Sequence, residues 1–251
     1  FDGIGIKHVP DMQIVLKAGG TFRRLPSRYL SPLVLAEVSE QLHKLQEYGI
    51  LTRTDSAEGS SPLVIVVKPD GSIRLAVDYR ELNANIRYTA MQLPNMKSKF
   101  PLLSGKKWFG KMDNLFGYHQ WKVADESKDL TCIATPIGTF IYNFCPFGIS
   151  TAPAMYQDLM ENKILGGLSN QIAAIFIDDT VVYAVNEREF LSNLRSIFDR
   201  LRYHNVKLKP SKCHFGYSSV EFVGHIFDQD GYHLSDERKR GIIDMVRPKT
   251  L

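Results

Sequence analysis

Asp178 and Asp179 stand side by side between two apolar runs, Ile172–Ile177 before them and Thr180–Val185 after. Both runs have strand composition, and the two-residue break between them reads as a hairpin turn. Asp-Asp suits such a turn poorly, because the favoured types want residues at ease with φ above zero. Neighbouring carboxylates also raise the cost of ionising one another. A divalent cation removes that penalty, and two cations held by carboxylates are a device for phosphoryl transfer. For the pair taken alone, a solvated acidic turn is the plain alternative.

The elements around the pair supply a third acid. Trp108–Asp113 reads as a strand. A helix follows at about residues 152–165, opened by Ser150, Thr151 and Pro153 and closed by Gly166 and Gly167. After the two strands around Asp178, Asn186 opens a helix with Glu189 three residues on, and Phe190, Leu194, Ile197 and Leu201 share one face. A short strand at Val206–Leu208 ends the series. The order β-α-β-β-α-β is the split βαβ arrangement of an α+β fold, with an insertion at about residues 122–150. In that topology the first and third strands are antiparallel neighbours, so Asp113 comes to the edge where Asp178 and Asp179 begin. Strand alternation lets one of the pair face Asp113 squarely. Asp113 and Asp178 are the expected principal ligands, with Asp179 weaker or more distant.

Upstream, Ser31 and Pro32 open a helix carrying Leu35, Val38, Leu42 and Leu45 on one face, and Gly49 stops it. A hairpin follows, Pro62–Lys68 and Ile73–Tyr79 around a Pro69–Ser72 turn. A second hairpin, Val220–Phe227 with Tyr232–Leu234, turns at Asp230 and Gly231.

The chain has 251 residues, 44% hydrophobic and 11% aromatic, enough for a buried interior shared by two or three subdomains. Three cysteines without a C-x-x-C pair argue against a disulfide framework or structural zinc and favour a reducing compartment. No run approaches the ~20 apolar residues of a membrane span. The first residue is Phe and the last phrase is Arg247–Leu251, which suggests a piece of a longer polypeptide with no targeting signal. Net charge is +4, and Arg195, Arg200, Arg202, Lys207, Lys209 and Lys212 cluster, followed by Arg238, Lys239, Arg240, Arg247 and Lys249. Such a basic third can face a phosphate backbone or form ordinary solvated helix faces.

Several phrases together resemble the reverse transcriptase segment of gypsy-type LTR retrotransposon Pol polyproteins: Tyr48–Leu51, Ser60–Lys68, Asp70–Asn83, Met112–Asp113, Gly117–Gln120, Pro146–Gln157, Phe176–Asp179, Lys207–Phe215 and Phe222–His225. The resemblance implies a right-hand polymerase fold. An N-terminal extension and fingers would take residues 1–91. The palm would take 92–121 and 152–229 around a fingers insertion at 122–151, and a truncated thumb would start at 230–251. It implies an RNA-directed DNA polymerase, a nucleotidyltransferase adding deoxynucleotides to a primer 3′-hydroxyl on RNA or DNA templates. Asp113, Asp178 and Asp179 would be catalytic and would hold two Mg²⁺ ions about 3.5–4 Å apart, with Mn²⁺ as a substitute.

Position by position, Lys68 and Arg74 match the triphosphate grip, a point charge and a fork; charges beside a surface turn are the plain alternative. Tyr118 matches the sugar gate, or is a core tyrosine. Phe147 would border the same pocket. Gln157 would face the template, and Gly224 with His225 would grip the primer backbone, where a simple hairpin glycine would also do. RNase H and integrase segments of the same polyprotein are the implied partners beside nucleic acid and deoxynucleotides. The implied location is intracellular and cytoplasmic, within retrotransposon particles, with no membrane.

This chain departs from the family at Asn114–Phe116, at Phe109–Gly110 and at Pro69. A catalytically impaired copy that only binds nucleic acid is the alternative these departures raise, and a nucleotide cyclase or two-metal nuclease could share the sheet and its acids.

Overall fold

The computed structural model describes residues 3–88, 91 and 93–245, apart from the side chains of Glu237 and Ile242. The chain divides into two compact units. The first takes residues 1–91, 116–156 and 204–206, and the second takes 92–115, 157–203 and 207–251. The expected divisions at 121/122 and 151/152 thus fall inside the first unit.

In the first unit, Ser31 precedes the helix Pro32–Glu47, with proline at the start where its missing N–H costs nothing. Gly49 ends it at φ 68°, a left-handed conformation that glycine adopts freely. Val38 and Leu42 are its buried residues. The hairpin Ser61–Val67 and Ile73–Val77 forms in register Val67↔Ile73. It belongs to a five-stranded sheet whose other members are Leu51–Arg53, Ile133–Thr135 and Gly138–Tyr142. The last two strands come from the expected insertion.

In the second unit, Trp108–Asp113 is a strand, as its composition predicts. The helix Ala152–Asp158, whose first residues up to Tyr156 are counted with the first unit, leads into a π-helical stretch, Leu159–Ile164, where a regular helix to about residue 165 was expected. Wider turns of this kind often mark functional segments. Strands Ala173–Phe176 and Asp179–Ala184 form the acidic hairpin. Helix Glu187–Tyr203 opens with the predicted box: Asn186 Oδ1 accepts from the Glu189 N–H at 2.9 Å, and Glu189 Oε2 accepts from the Val185 N–H at 3.3 Å.

The fourth strand is His214–Tyr217, not the predicted Val206–Leu208. Leu208 makes a single antiparallel bridge with Asn114. Pro210 has no N–H to continue the ladder, and a short 3₁₀ turn, Pro210–Lys212, lifts the chain away before His214 pairs with Lys111. The sheet order, by first residue, is Ala173, Asp179, Trp108, His214. That order, with all pairs antiparallel, is the split βαβ topology.

Alternation puts Phe109, Lys111 and Asp113 on one face. Phe109 packs there with Ala174, Val181, Tyr183, Val220, Phe222 and Phe227 in a buried core. The opposite face carries Gly110, where an added Cβ would lie 2.9 Å from Phe215 and 3.1 Å from Phe190. The departure at Gly110 therefore has a packing cause: only glycine lets the helix approach so closely.

The predicted run Val220–Phe227 is broken in two. Val223 and Gly224 take φ 49° and 73° and form a turn, so Val220–Phe222, His225–Asp228 and Gly231–Leu234 make a three-stranded sheet. Arg247 and Lys249 lie outside the described residues. No helix among the described residues is long and apolar enough to cross a membrane.

Candidate active site

Asp113 ends its strand directly opposite Asp179, the first residue of the neighbouring strand. Cross-strand partners share a face, so Asp179 is the acid the register sets beside Asp113. Asp178 was expected to be the one of the pair facing Asp113, and the register gives that place to Asp179. The cause is the turn. Phe176 pairs with Asp179, which makes Ile177 and Asp178 the two turn residues rather than Asp178 and Asp179. Ile177 takes φ 57°. Asp178 is the exposed residue of that turn.

The three acids nevertheless feel one another. The Asp178 carboxyl is pushed above the usual range, first by partial enclosure in protein atoms and then by the charges of Asp179 and Asp113. Two lysines compensate. Lys212 Nζ lies 3.0 Å from Asp113 Oδ2, placed there by the turn that Pro210 forces. Its ammonium is held above the ordinary lysine range by the hydrogen bond and charge of Asp113, with Asp178 and Asp179 adding. Lys111, two residues before Asp113 on the same face, lies 3.4 Å from Asp179 Oδ1. Neither lysine was singled out as a ligand-site residue from the sequence. The i−2 position of Lys111 was the available signal, whereas nothing local announces Lys212.

Beside Asp113 a cleft of about 520 Å³ is lined by Lys111, Lys212, His214, Tyr217 and Glu221 among others. Among the described residues, no three His, Cys, Asp or Glu side chains converge tightly enough to hold an ion as they stand. The donor set still fits a hard cation: three carboxylates act on one ammonium, and one of them is made harder to ionise by the others' charge.

Gln157, expected to face the template, is enclosed by the protein in this structure. It is 2% exposed, and its amide binds the backbone at Ile175 and Ile177. Gly224 occupies the turn described above, where an added Cβ would run into the Arg238 guanidinium. His225 packs its ring 4.7 Å from Phe100. Of the basic cluster, Arg200 donates to the carbonyls of Ile164 and Gly166, and Arg202 pairs with Asp199. These two arginines are occupied within the protein.

In the first unit, Tyr118, Phe147 and Arg74 gather. Tyr118 follows two left-handed residues, Phe116 and Gly117, and lies in the 3₁₀ turn Gly117–Gln120 with its ring 5.2 Å from Phe147 and edge-on to Tyr156 at 4.9 Å. The Arg74 guanidinium lies 5.3 Å from the centre of the Phe147 ring. His119, next to Tyr118, bonds the Cys145 carbonyl at 2.9 Å and stacks on Tyr142. Burial pushes its imidazole down to about 4, with the nearby Arg74 charge contributing. Lys68 is exposed at the end of its strand. Its carbonyl and N–H close the Pro69–Ser72 turn with Gly71 and Ser72, where Asp70 Oδ1 accepts from the Ser72 N–H and hydroxyl.

Residues 66–227 match the family described as reverse transcriptase (RNA-dependent DNA polymerase). The chain is 30% identical over 216 residues to the retrovirus-related Pol polyprotein from transposon 297 of Drosophila melanogaster, covering 84% of this chain and 20% of that protein. It is 28% identical over 228 residues to the transposon Tf2-3 polyprotein of Schizosaccharomyces pombe, covering 90% and 17%. This chain thus spans a fifth or less of the length of these relatives. Among solved structures, a foamy viral protease-reverse transcriptase in complex with RNA/DNA hybrid superposes with a TM-score of 0.84 at 20% identity, over 98% of this chain and 33% of that one. A form described as dRH, in complex with double-stranded DNA, gives 0.85 at 21% identity, over 99% and 43%. That likeness establishes a right-hand polymerase fold of the α+β class. With the family match spanning well over half its length, the chain belongs to the reverse transcriptase (RNA-dependent DNA polymerase) family.

Proposed function

We propose that this chain is the polymerase segment of a retrotransposon polyprotein, adding deoxynucleotides to a primer 3′-hydroxyl on an RNA or DNA template. The observation that carries the reading is the register that sets Asp113 opposite Asp179, with Asp178 in the adjoining turn. Asp113, Asp178 and Asp179 would hold two Mg²⁺ ions, with Mn²⁺ able to replace them. The chemistry such ions would supply there is a lowered pKa for the attacking hydroxyl and neutralised charge on the pyrophosphate leaving group.

The chain's own groups do the rest. Lys68 and Arg74 hold the triphosphate, Arg74 braced against the Phe147 ring. Tyr118 and Phe147 form an aromatic wall against which the sugar rests, excluding a 2′-hydroxyl. Gly224 and His225 present backbone to the primer. The first unit corresponds to fingers and the second to palm with the start of a thumb. RNA–DNA hybrid and deoxynucleoside triphosphates are the proposed ligands. RNase H and integrase segments are the proposed companions, inside cytoplasmic particles.

Primer extension on an RNA template, with Mg²⁺ and with chelator, tests the reading. Metal-dependent extension by the parent chain is expected. Asp178→Asn should abolish it while template–primer affinity changes less than about threefold. A cyclic nucleotide or a cut strand as product, or full extension by Asp178→Asn, would overturn it.

A further inference from the structure

A two-residue hairpin turn whose first central residue has φ above zero is a glycine position. Here that residue is Ile177, at φ 57°. A β-branched side chain in this region is a backbone outlier that persists only when its surroundings enforce it.

The hairpin's register shows which backbone groups need partners. The Tyr183 N–H donates to the Ile172 carbonyl, and Ala174↔Val181 and Phe176↔Asp179 continue that series in steps of two. Those residues turn their peptide groups toward the neighbouring strand, so the carbonyls of Ala173 and Ile175 face away from it. The Asn170 N–H takes the Ala173 carbonyl. The strand Ala173–Phe176 is an edge of its sheet, and Ile175 is fully buried. A buried carbonyl there without a donor would be destabilising.

Gln157 fills that place. Its Nε2 donates to the Ile175 carbonyl at 3.0 Å, and its Oε1 accepts from the Ile177 N–H at 2.6 Å. One side-chain amide supplies the donor and acceptor that a peptide unit of an adjoining strand would supply. The glutamine is itself buried on the helix Ala152–Asp158, so its reach is fixed by packing.

We propose that Gln157 is a positioning residue that locks the Ile177–Asp178 turn in its left-handed form and so sets where the two acidic side chains point. The proposal rests on the polymerase reading above. Asp178 directly follows Ile177, so release of the Ile177 N–H lets the turn rotate its carboxylate. Asp179 opens the strand whose pairing with Asp113 begins at that turn.

The test is primer extension by Gln157→Leu in the parent chain and in an Ile177→Gly background. Glycine reaches positive φ without assistance. In the parent chain the substitution should lower kcat about tenfold or more, with the nucleotide KM changed less than about threefold. In the Ile177→Gly background the same substitution should cost less than about threefold. Equal losses in the two backgrounds overturn the proposal. An unchanged kcat with weakened, salt-sensitive template–primer binding also overturns it, because that pattern belongs to a nucleic-acid contact.

Hydrogen exchange at the Ile177 amide is read in parallel. It should be about tenfold or more faster in Gln157→Leu, and an unaltered rate refutes the clamp. Should the leucine variant not fold, Gln157→Met, nearer in shape and equally without hydrogen bonds, takes its place with the same outcomes. A parent chain that extends no primer would sink the polymerase reading, while exchange at Ile177 would still decide the clamp.

Discussion

Lys212→Met removes the ammonium that holds Asp113 and keeps a side chain of similar reach. Two unit charges 3.0 Å apart attract by about 1.4 kcal/mol in bulk water. The Lys212 side chain is 57% exposed, so screening and the entropy of ordering it bring the net to about 1 kcal/mol or less. The upper part of that range applies, since Asp113 is largely enclosed and Asp178 and Asp179 act on the same ammonium. A divalent cation entering the carboxylates must displace this contact. Its loss should therefore strengthen cation binding by about fivefold. Titration of Mn²⁺, followed by the magnetic resonance signal of the free ion with no nucleic acid or nucleotide present, measures the change. The gain should shrink in ~1 M salt, where charges are screened beyond about 3 Å. Binding that is unchanged or weaker in Lys212→Met at low salt would refute the reasoning.

Lys99→Met should destabilise the second unit by about 3–5 kcal/mol in denaturant unfolding, because Lys99 is buried on Glu161 and Asn170 and its loss strands an enclosed carboxylate. The pair Lys99→Met with Glu161→Leu should recover most of that loss. Arg74→Ala should raise the nucleotide KM about tenfold in steady-state extension, the effect of losing one charge-assisted hydrogen bond; an unchanged KM would remove Arg74 from the triphosphate grip. Because the His119 imidazole is held down to about 4 in the fold, the unfolded chain binds the extra proton between that value and its ordinary pKa near 6.5. His119 therefore contributes stability that is full above about pH 6.5 and lost as pH falls toward about 4. Thermal melts across that window should show the decline in the parent chain and a weaker decline in His119→Phe.

Where local chemistry decides an element, the sequence was enough to read it. Pro32 and Gly49 bound a helix, Asn186 and Glu189 build a capping box, and Trp108–Asp113 forms a strand at the stated limits. The split βαβ order followed from these elements alone, and with it the approach of Asp113 to the acidic pair. Errors came where one group's partner decides another's conformation. Val206–Leu208 looked like a strand by composition, but Pro210 interrupts it and the ladder resumes at His214. Val223 lies inside an apolar run and still takes a left-handed turn. Gln157 looked like a polar residue available to a template, and it is a buried partner of backbone groups 18 and 20 residues away.

The family phrases and the β-α-β-β-α-β order, both present in the chain as written, determine membership of the reverse transcriptase family and bring three acids to one sheet edge. Tertiary structure decided which acid lies opposite Asp113, which lysines neutralise the group, and what holds Ile177 in a conformation its side chain disfavours. The physical reason is reach. A capping box or a helix stop acts over three or four residues and can be read locally. Strand register, a lysine 99 residues from its carboxylate and an amide bonded to an edge strand depend on distances that exist only after the chain has folded.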